Sequence, residues 1–178
     1  MRQSVNPLSF LLKTPNRRIA FIAVLVTLVD QFTKKLVSNF LDFGSDKVII
    51  PGFFKLVHWG NTGAAWSLFR GNNLLLALIA VAALGILYFS RHHFEVRSGL
   101  NQLAFGLICG GIVGNLVDRL RVDHVVDFLY FYIQTRGGGE AGFPAFNIAD
   151  SAICTGVALV FILTLKSERK PVQTVSAE

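Results

Sequence analysis

Four apolar runs, roughly 19–41, 74–89, 100–117 and 148–165, occupy nearly half of this 178-residue chain. A helix needs about 20 residues to cross the hydrocarbon core, with latitude at snorkelling ends. In lipid every backbone N–H and C=O must pair within the chain, so each run is expected to be a helix. Mean hydropathy of +0.52 and a charged fraction of 16% agree with a membrane class. The net charge of +6 does not point to nucleic acid, because the basic residues flank the apolar runs, where they anchor helices at the lipid surface.

The first run has a basic flank, Arg17-Arg18, but no A-x-A-like cleavage site follows it. It reads as an uncleaved span, with Lys34 and Lys35 snorkelling from its outer end. The N-terminus, the 90–99 loop and the C-terminus carry nine Lys or Arg in about 40 residues, against eight in nearly 70 for the other loops. That density places both termini in the cytoplasm and both long loops outside. The 42–73 loop has β-prone residues around Pro51-Gly52 and is expected to form a short hairpin. The stretch "HVVDFLYFYIQ" reads as an interfacial segment along the membrane surface, and "TRGGGEAGFP" as a mobile glycine-rich loop. Cys109 and Cys154 lie in apolar runs and read as two small buried thiols.

Polar groups interrupt this pattern. Asp30, Gln31, Asn61, Asn115, Asp118, Arg119, Asp127, Asn147 and Asp150 all fall near the outer half of the membrane under this topology. Acids in such positions are costly and mark function. Asn115, Asp118 and Arg119 share one helix face; Asp30 and Lys34 are i,i+4 and able to pair. Asp118 and Arg119 suit an interfacial ion pair. Asn147 is placed to cap the fourth helix, with Asp150 in its first turn. The glycines of "CGGIVGN" permit close approach of helices or substrate. Asp127 and Asp150 have no basic neighbour in their own segments, which suggests two acids sharing protons.

Other chemistries fit less well. No H-E-x-x-H, P-loop or dinucleotide fingerprint occurs. His92-His93 lie in the cytoplasmic loop, and Ser67 and Ser151 have no Lys or His at useful spacing. Asp123, His124 and Asp127 make a possible but incomplete metal patch. A proton-coupled transporter would place acids nearer the midplane and show internal repeats. A purely structural tetraspan protein would pair its acids with bases.

The blocks "VDQFTK" (29–34), "NTGAAWS" (61–67), "GGIVGNLVDR" (110–119), "VVDF" (125–128) and "FNIADS" (146–151) resemble, in order, those of bacterial lipoprotein signal peptidase (signal peptidase II), over about residues 20–165. The resemblance implies an all-α integral membrane protein: four transmembrane helices, a small extracytoplasmic β element and a surface helix over the active site, in a single domain spanning 1–178. It implies an aspartic endopeptidase of the inner membrane with Asp127 and Asp150 catalytic. Asp30, Asn61, Gly63, Asn115, Asp118, Arg119, Asn147 and Ala149 would support substrate or catalyst. The implied partners are membrane lipid and prolipoproteins carrying diacylglycerol on the lipobox cysteine, cut just before that cysteine. No metal, cofactor or nucleic acid is expected, and the chain is expected to act as a monomer. Trp66 stands where many members have Phe, and the glycine-rich 136–142 stretch leaves the local loop geometry open.

Overall fold

The computed structural model describes residues 12–63, 69, 71–91 and 98–168. In chain order the elements are α1 (Pro15–Phe40), β1 (Asp46–Ile50), β2 (Phe54–Asn61), α2 (Asn73–Ser90), α3 (Gly99–Val122), β3 (Val125–Gln134), β4 (Glu140–Gly142) and α4 (Ile148–Glu168). Each apolar run thus becomes a helix. Three segments, Asn73–Ser90, Gly99–Val122 and Ile148–Lys166, are long and apolar enough to cross a bilayer. The 26-residue α1 is long enough, at about 1.5 Å per residue, but carries Arg17, Arg18, Asp30, Lys34 and Lys35. It begins at Thr14, whose Oγ1 accepts from Arg17 N at 3.4 Å, with Pro15 in the first turn.

α3 is the central helix, packed against α1 on one side and α4 on the other. Glycine makes both approaches possible. A Cβ on Gly110 would lie 2.6 Å from Ala23 O, and one on Gly114 2.6 Å from Asp30 Oδ2. Gly111 faces Ala149 on α4 in the same way. The glycines therefore bring helices, rather than substrate, close to the α3 backbone. α3 runs five residues past the apolar run, because Asp118 and Arg119 find partners inside the protein. It ends at Asp123, with φ +60°.

The four strands form one antiparallel sheet in the order β1-β2-β3-β4. The expected hairpin over β1–β2 is present, but the β part is larger than expected. "VVDFLYFYIQ" is the strand β3 and not a separate surface segment, as its β-branched and aromatic residues favour when a partner strand is available. The stretch read as a mobile loop closes as a turn into β4, which pairs Tyr132 with Gly142 and Gln134 with Glu140. Lys55 ties the sheet together, reaching Glu140 Oε1 at 2.7 Å and Asp46 Oδ2 at 3.2 Å. The described residues hold four helices, none of them a surface helix over the site. Ala64–Ser67, including Trp66, and His92-His93 lie outside the described residues.

Lipid-facing and core positions also differ from expectation. Cys154 is exposed and Cys109 only half-buried. α4 is apolar on all sides, so its sequence does not separate the packed face from the outer one.

Candidate active site

Backbone pairing creates the site. Residue Phe146, just ahead of α4, exchanges backbone hydrogen bonds with Leu129: Leu129 N donates to Phe146 O at 2.9 Å and Phe146 N to Leu129 O at 3.1 Å. This stitches the entrance of α4 to β3 and sets Asn147 beside Asp127. Asn147 is completely buried and caps α4: its Oδ1 accepts from Asp150 N at 2.9 Å, while its own N donates to Asp150 Oδ2 at 3.2 Å. This is a reciprocal capping box with Asp in the third helical position.

One residue therefore holds both acids. Asn147 Nδ2 donates to Asp127 Oδ1 at 2.9 Å as its backbone N–H reaches Asp150. The remaining carboxylate oxygens are also occupied. Asn61 Nδ2 donates to Asp127 Oδ2 at 3.0 Å, and Asn115 Nδ2 to Asp150 Oδ1 at 2.8 Å. Each asparagine has its amide oriented from the far side. Asn61 Oδ1 accepts from Gly63 N at 2.9 Å, Asn115 Oδ1 from Lys34 Nζ at 3.0 Å, and Asn147 Oδ1 from Asp150 N. With each oxygen engaged, the NH₂ groups must face the acids.

Asp127 is 3% exposed, whereas Asp150 is half-buried. Burial, and then the charge of Asp150, push the Asp127 carboxyl up to about 7 against the opposing pull of the Asn61 and Asn147 amides and of Lys34. The setting thus favours the protonated form of Asp127 over that of an ordinary carboxyl.

Behind the acids lies an ion cluster. Lys34 Nζ is 2.8 Å from both Asp30 Oδ2 and Asp118 Oδ2. Gln31 Nε2 donates to Asp118 Oδ1 at 2.8 Å. The expected Asp30–Lys34 pair is present. Lys34 does not snorkel, however: it is 3% exposed, because two carboxylates and an amide oxygen replace its water. Lys35 is exposed. Nor is Asp118 paired with Arg119, which sits on the adjacent position and turns its guanidinium to Gly63 O at 3.0 Å. Gly63 is therefore held from both its N–H and its C=O. Ala149 is fully buried, and its N–H donates to Asp30 Oδ1 at 2.9 Å.

All ten residues singled out as catalytic or supporting meet in this one network. The Asp123–His124–Asp127 patch does not assemble. Asp123 Oδ1 accepts from Asn73 at 3.4 Å, His124 packs on Phe43, and Asp127 turns to the asparagines. Among the described residues no group of three His, Cys, Asp or Glu is placed to hold a metal ion. Two neighbours were not read as part of the site. Lys34 was read only as a partner of Asp30 and a snorkelling end, because its other partners Asn115 and Asp118 lie more than 80 residues away. Trp59 faces Asp127 across the β2–β3 register, which sequence alone does not fix.

Comparison with known proteins finds similar chains along most of the length. The family model described as signal peptidase (SPase) II matches residues 22–166. The lipoprotein signal peptidase of Symbiobacterium thermophilum is 43% identical over 150 residues, covering 84% of this chain and 95% of that protein. That of Geobacter metallireducens is 39% identical over 163 residues, covering 88% and 96%. A solved structure described as a bacterial membrane enzyme, determined in meso at 2.3 Å resolution, superposes with a TM-score of 0.74 at 31% identity, covering 87% of this chain and 94% of that one.

Proposed function

The chain belongs to the signal peptidase II family, and from that membership we propose that it removes the signal peptide from lipoprotein precursors by aspartic chemistry at Asp127 and Asp150. Membership makes it a peptide hydrolase embedded in the bacterial inner membrane. Its four helices all cross that membrane, both termini are cytoplasmic, and the acids lie near the outer face. The substrate is a precursor carrying diacylglycerol on its lipobox cysteine. It arrives sideways from the bilayer as a helix with acyl chains and is cut just before that cysteine.

The observation that carries this reading is the double grip of Asn147, which holds Asp127 by its side chain and Asp150 by its backbone. Two carboxylates in one buried setting do not both ionise cheaply, so the pair retains one proton. We assign that proton to Asp127, the less exposed of the two. Asp150 takes a proton from water as the water oxygen attacks the scissile carbonyl carbon. Asp127 gives its proton to the carbonyl oxygen. In the collapse of the diol the C–N bond breaks, the leaving amine takes the proton from Asp150, and a diol hydroxyl returns one to Asp127. Positioned acid–base groups of this kind contribute about 10²–10⁴-fold each. Orientation and stabilisation of the developing oxyanion supply the remainder, with Asn61 and Arg119 as neighbouring donors.

The test is reconstituted protein given two precursor peptides of one sequence, with and without diacylglycerol on the cysteine, and products read by mass spectrometry. A single cut before the lipidated cysteine is expected. Equal cleavage of the unmodified peptide, or a cut elsewhere, refutes the substrate assignment.

A further inference from the structure

Lys34 exchanges no proton in this scheme, yet it is almost fully buried and all three of its N–H donors are committed, to Asp30 Oδ2, Asp118 Oδ2 and Asn115 Oδ1. A buried ammonium is tolerated only with such partners, and removing one member of a buried ion cluster strands the others. What the two carboxylates do next is the telling feature. Asp30 accepts the N–H of Ala149 at 2.9 Å, and Asp118 accepts the N–H of Val126 at 3.1 Å. Ala149 directly precedes Asp150, and Val126 directly precedes Asp127. The two arms run from one cation, through one acid each, to the residue before each reacting aspartate.

We infer that Lys34 is a positioning residue that fixes the two reacting carboxylates relative to one another, by holding Asp30 and Asp118 in the form that clamps the Ala149 and Val126 backbone. A third arm reaches Asp150 through Asn115, whose oxygen accepts from Lys34 and whose amide faces the acid. The three arms begin at Lys34 on α1, two of them pass through α3, and they end on β3 and α4. Without the cation, the carboxylates of Asp30 and Asp118 lose the group between them and repel each other beside Gly114. Displacements of about 1 Å at reacting groups cost on the order of 10²-fold in rate.

This inference rests on the assignment of Asp127 and Asp150 as the reacting pair, so its test includes a readout independent of cleavage. In full-length protein in lipid nanodiscs, Lys34→Met keeps the stem and removes the charge, and Lys34→Arg keeps a charge. kcat and KM are measured on the lipidated precursor, and amide hydrogen exchange at Val126 and Ala149 by mass spectrometry. For Lys34→Met, kcat is expected to fall about 10²-fold with KM within about threefold, and both amides to exchange faster; Lys34→Arg is expected to recover at least a tenth of parental kcat. A kcat within about threefold of the parent, unchanged exchange at both amides, or an Arg variant as impaired as Met overturns the inference. Where Lys34→Met does not fold, Asp118→Asn decides. It is expected to speed exchange at Val126 and not at Ala149, and equal change at both overturns the two-armed clamp. Active Asp127→Asn would remove the dyad and leave the exchange result standing. Inactive Asp127→Asn beside fully active Lys34→Met would remove the clamp alone.

Discussion

Asp127→Asn is expected to make the protein more stable at alkaline pH, although it removes a side chain held by two hydrogen bonds. Burial and Asp150 hold the folded carboxyl at about 7. When a carboxyl is raised on folding, the folded state binds more protons than the unfolded chain across the window between the two values. Stability is then fully present below the unfolded value and is lost as pH rises from about 4 to about 7. From the ordinary 3.8 to about 7, at 1.36 kcal/mol per pH unit, the cost of keeping the ionised group folded is about 4 kcal/mol. Asparagine escapes that cost. It sets its own NH₂ against one of the two amides, of Asn61 or Asn147, whose oxygens are already engaged. One mismatched buried pair removes about 1–2 kcal/mol of the gain. The net is about 2–3 kcal/mol at pH 8, or about 5–10 °C in Tm for a chain of this size. The assay is thermal unfolding of parent and variant in one detergent at pH 8 and pH 4. A gain at pH 8 is expected that is gone by pH 4, where the parent carboxyl is protonated and the mismatched pair leaves the variant about 1 kcal/mol less stable. A variant less stable than the parent at pH 8, or an equal gain at both values, refutes the burial argument.

Other consequences follow from the same contacts. Asn61→Ala removes a donor that favours the ionised form of Asp127, so the alkaline limb of the kcat profile is expected to move to higher pH; a shift to lower pH contradicts Asp127 as the acid. Gly114→Ala places a Cβ 2.6 Å from Asp30 Oδ2, and overpacking of this kind costs about 1–3 kcal/mol, readable as a lower Tm together with reduced cleavage. Glu140→Gln removes an exposed partner of Lys55 and is expected to leave Tm and kcat unchanged, since such pairs contribute little; a large loss of activity would assign β4 a part in the site.

The helices were legible because lipid imposes a simple rule, apolar residues over a fixed length; three of the four meet it in full, and α1 has the length but carries charges. Asp127 and Asp150 were legible for the opposite reason, as acids without a local base in greasy surroundings. The strand β3 was not. Val, Phe and Tyr in succession suit a sheet or an interface equally, and only the partner β2, more than 60 residues earlier, decides. Lys34 was misread because snorkelling and burial need the same long stem at the same helix end. Its burial depends on Asp118 and Asn115, which α3 delivers from far along the chain. Asp118 and Arg119 were expected to pair because they are adjacent, but neighbours in a helix point about 100° apart and so found different partners. The exposure of Cys154 was hidden because a helix apolar on all sides does not announce its outer face.

Single-turnover cleavage of a diacylglyceryl-modified precursor by Asp127→Asn and by Asp150→Asn, each at saturating enzyme, probes the shared-proton pair directly. Each substitution is expected to slow bond cleavage by at least about 10³-fold while the precursor still binds. Either variant cutting within about tenfold of the parental rate would mean that the two acids do not act together on the peptide bond.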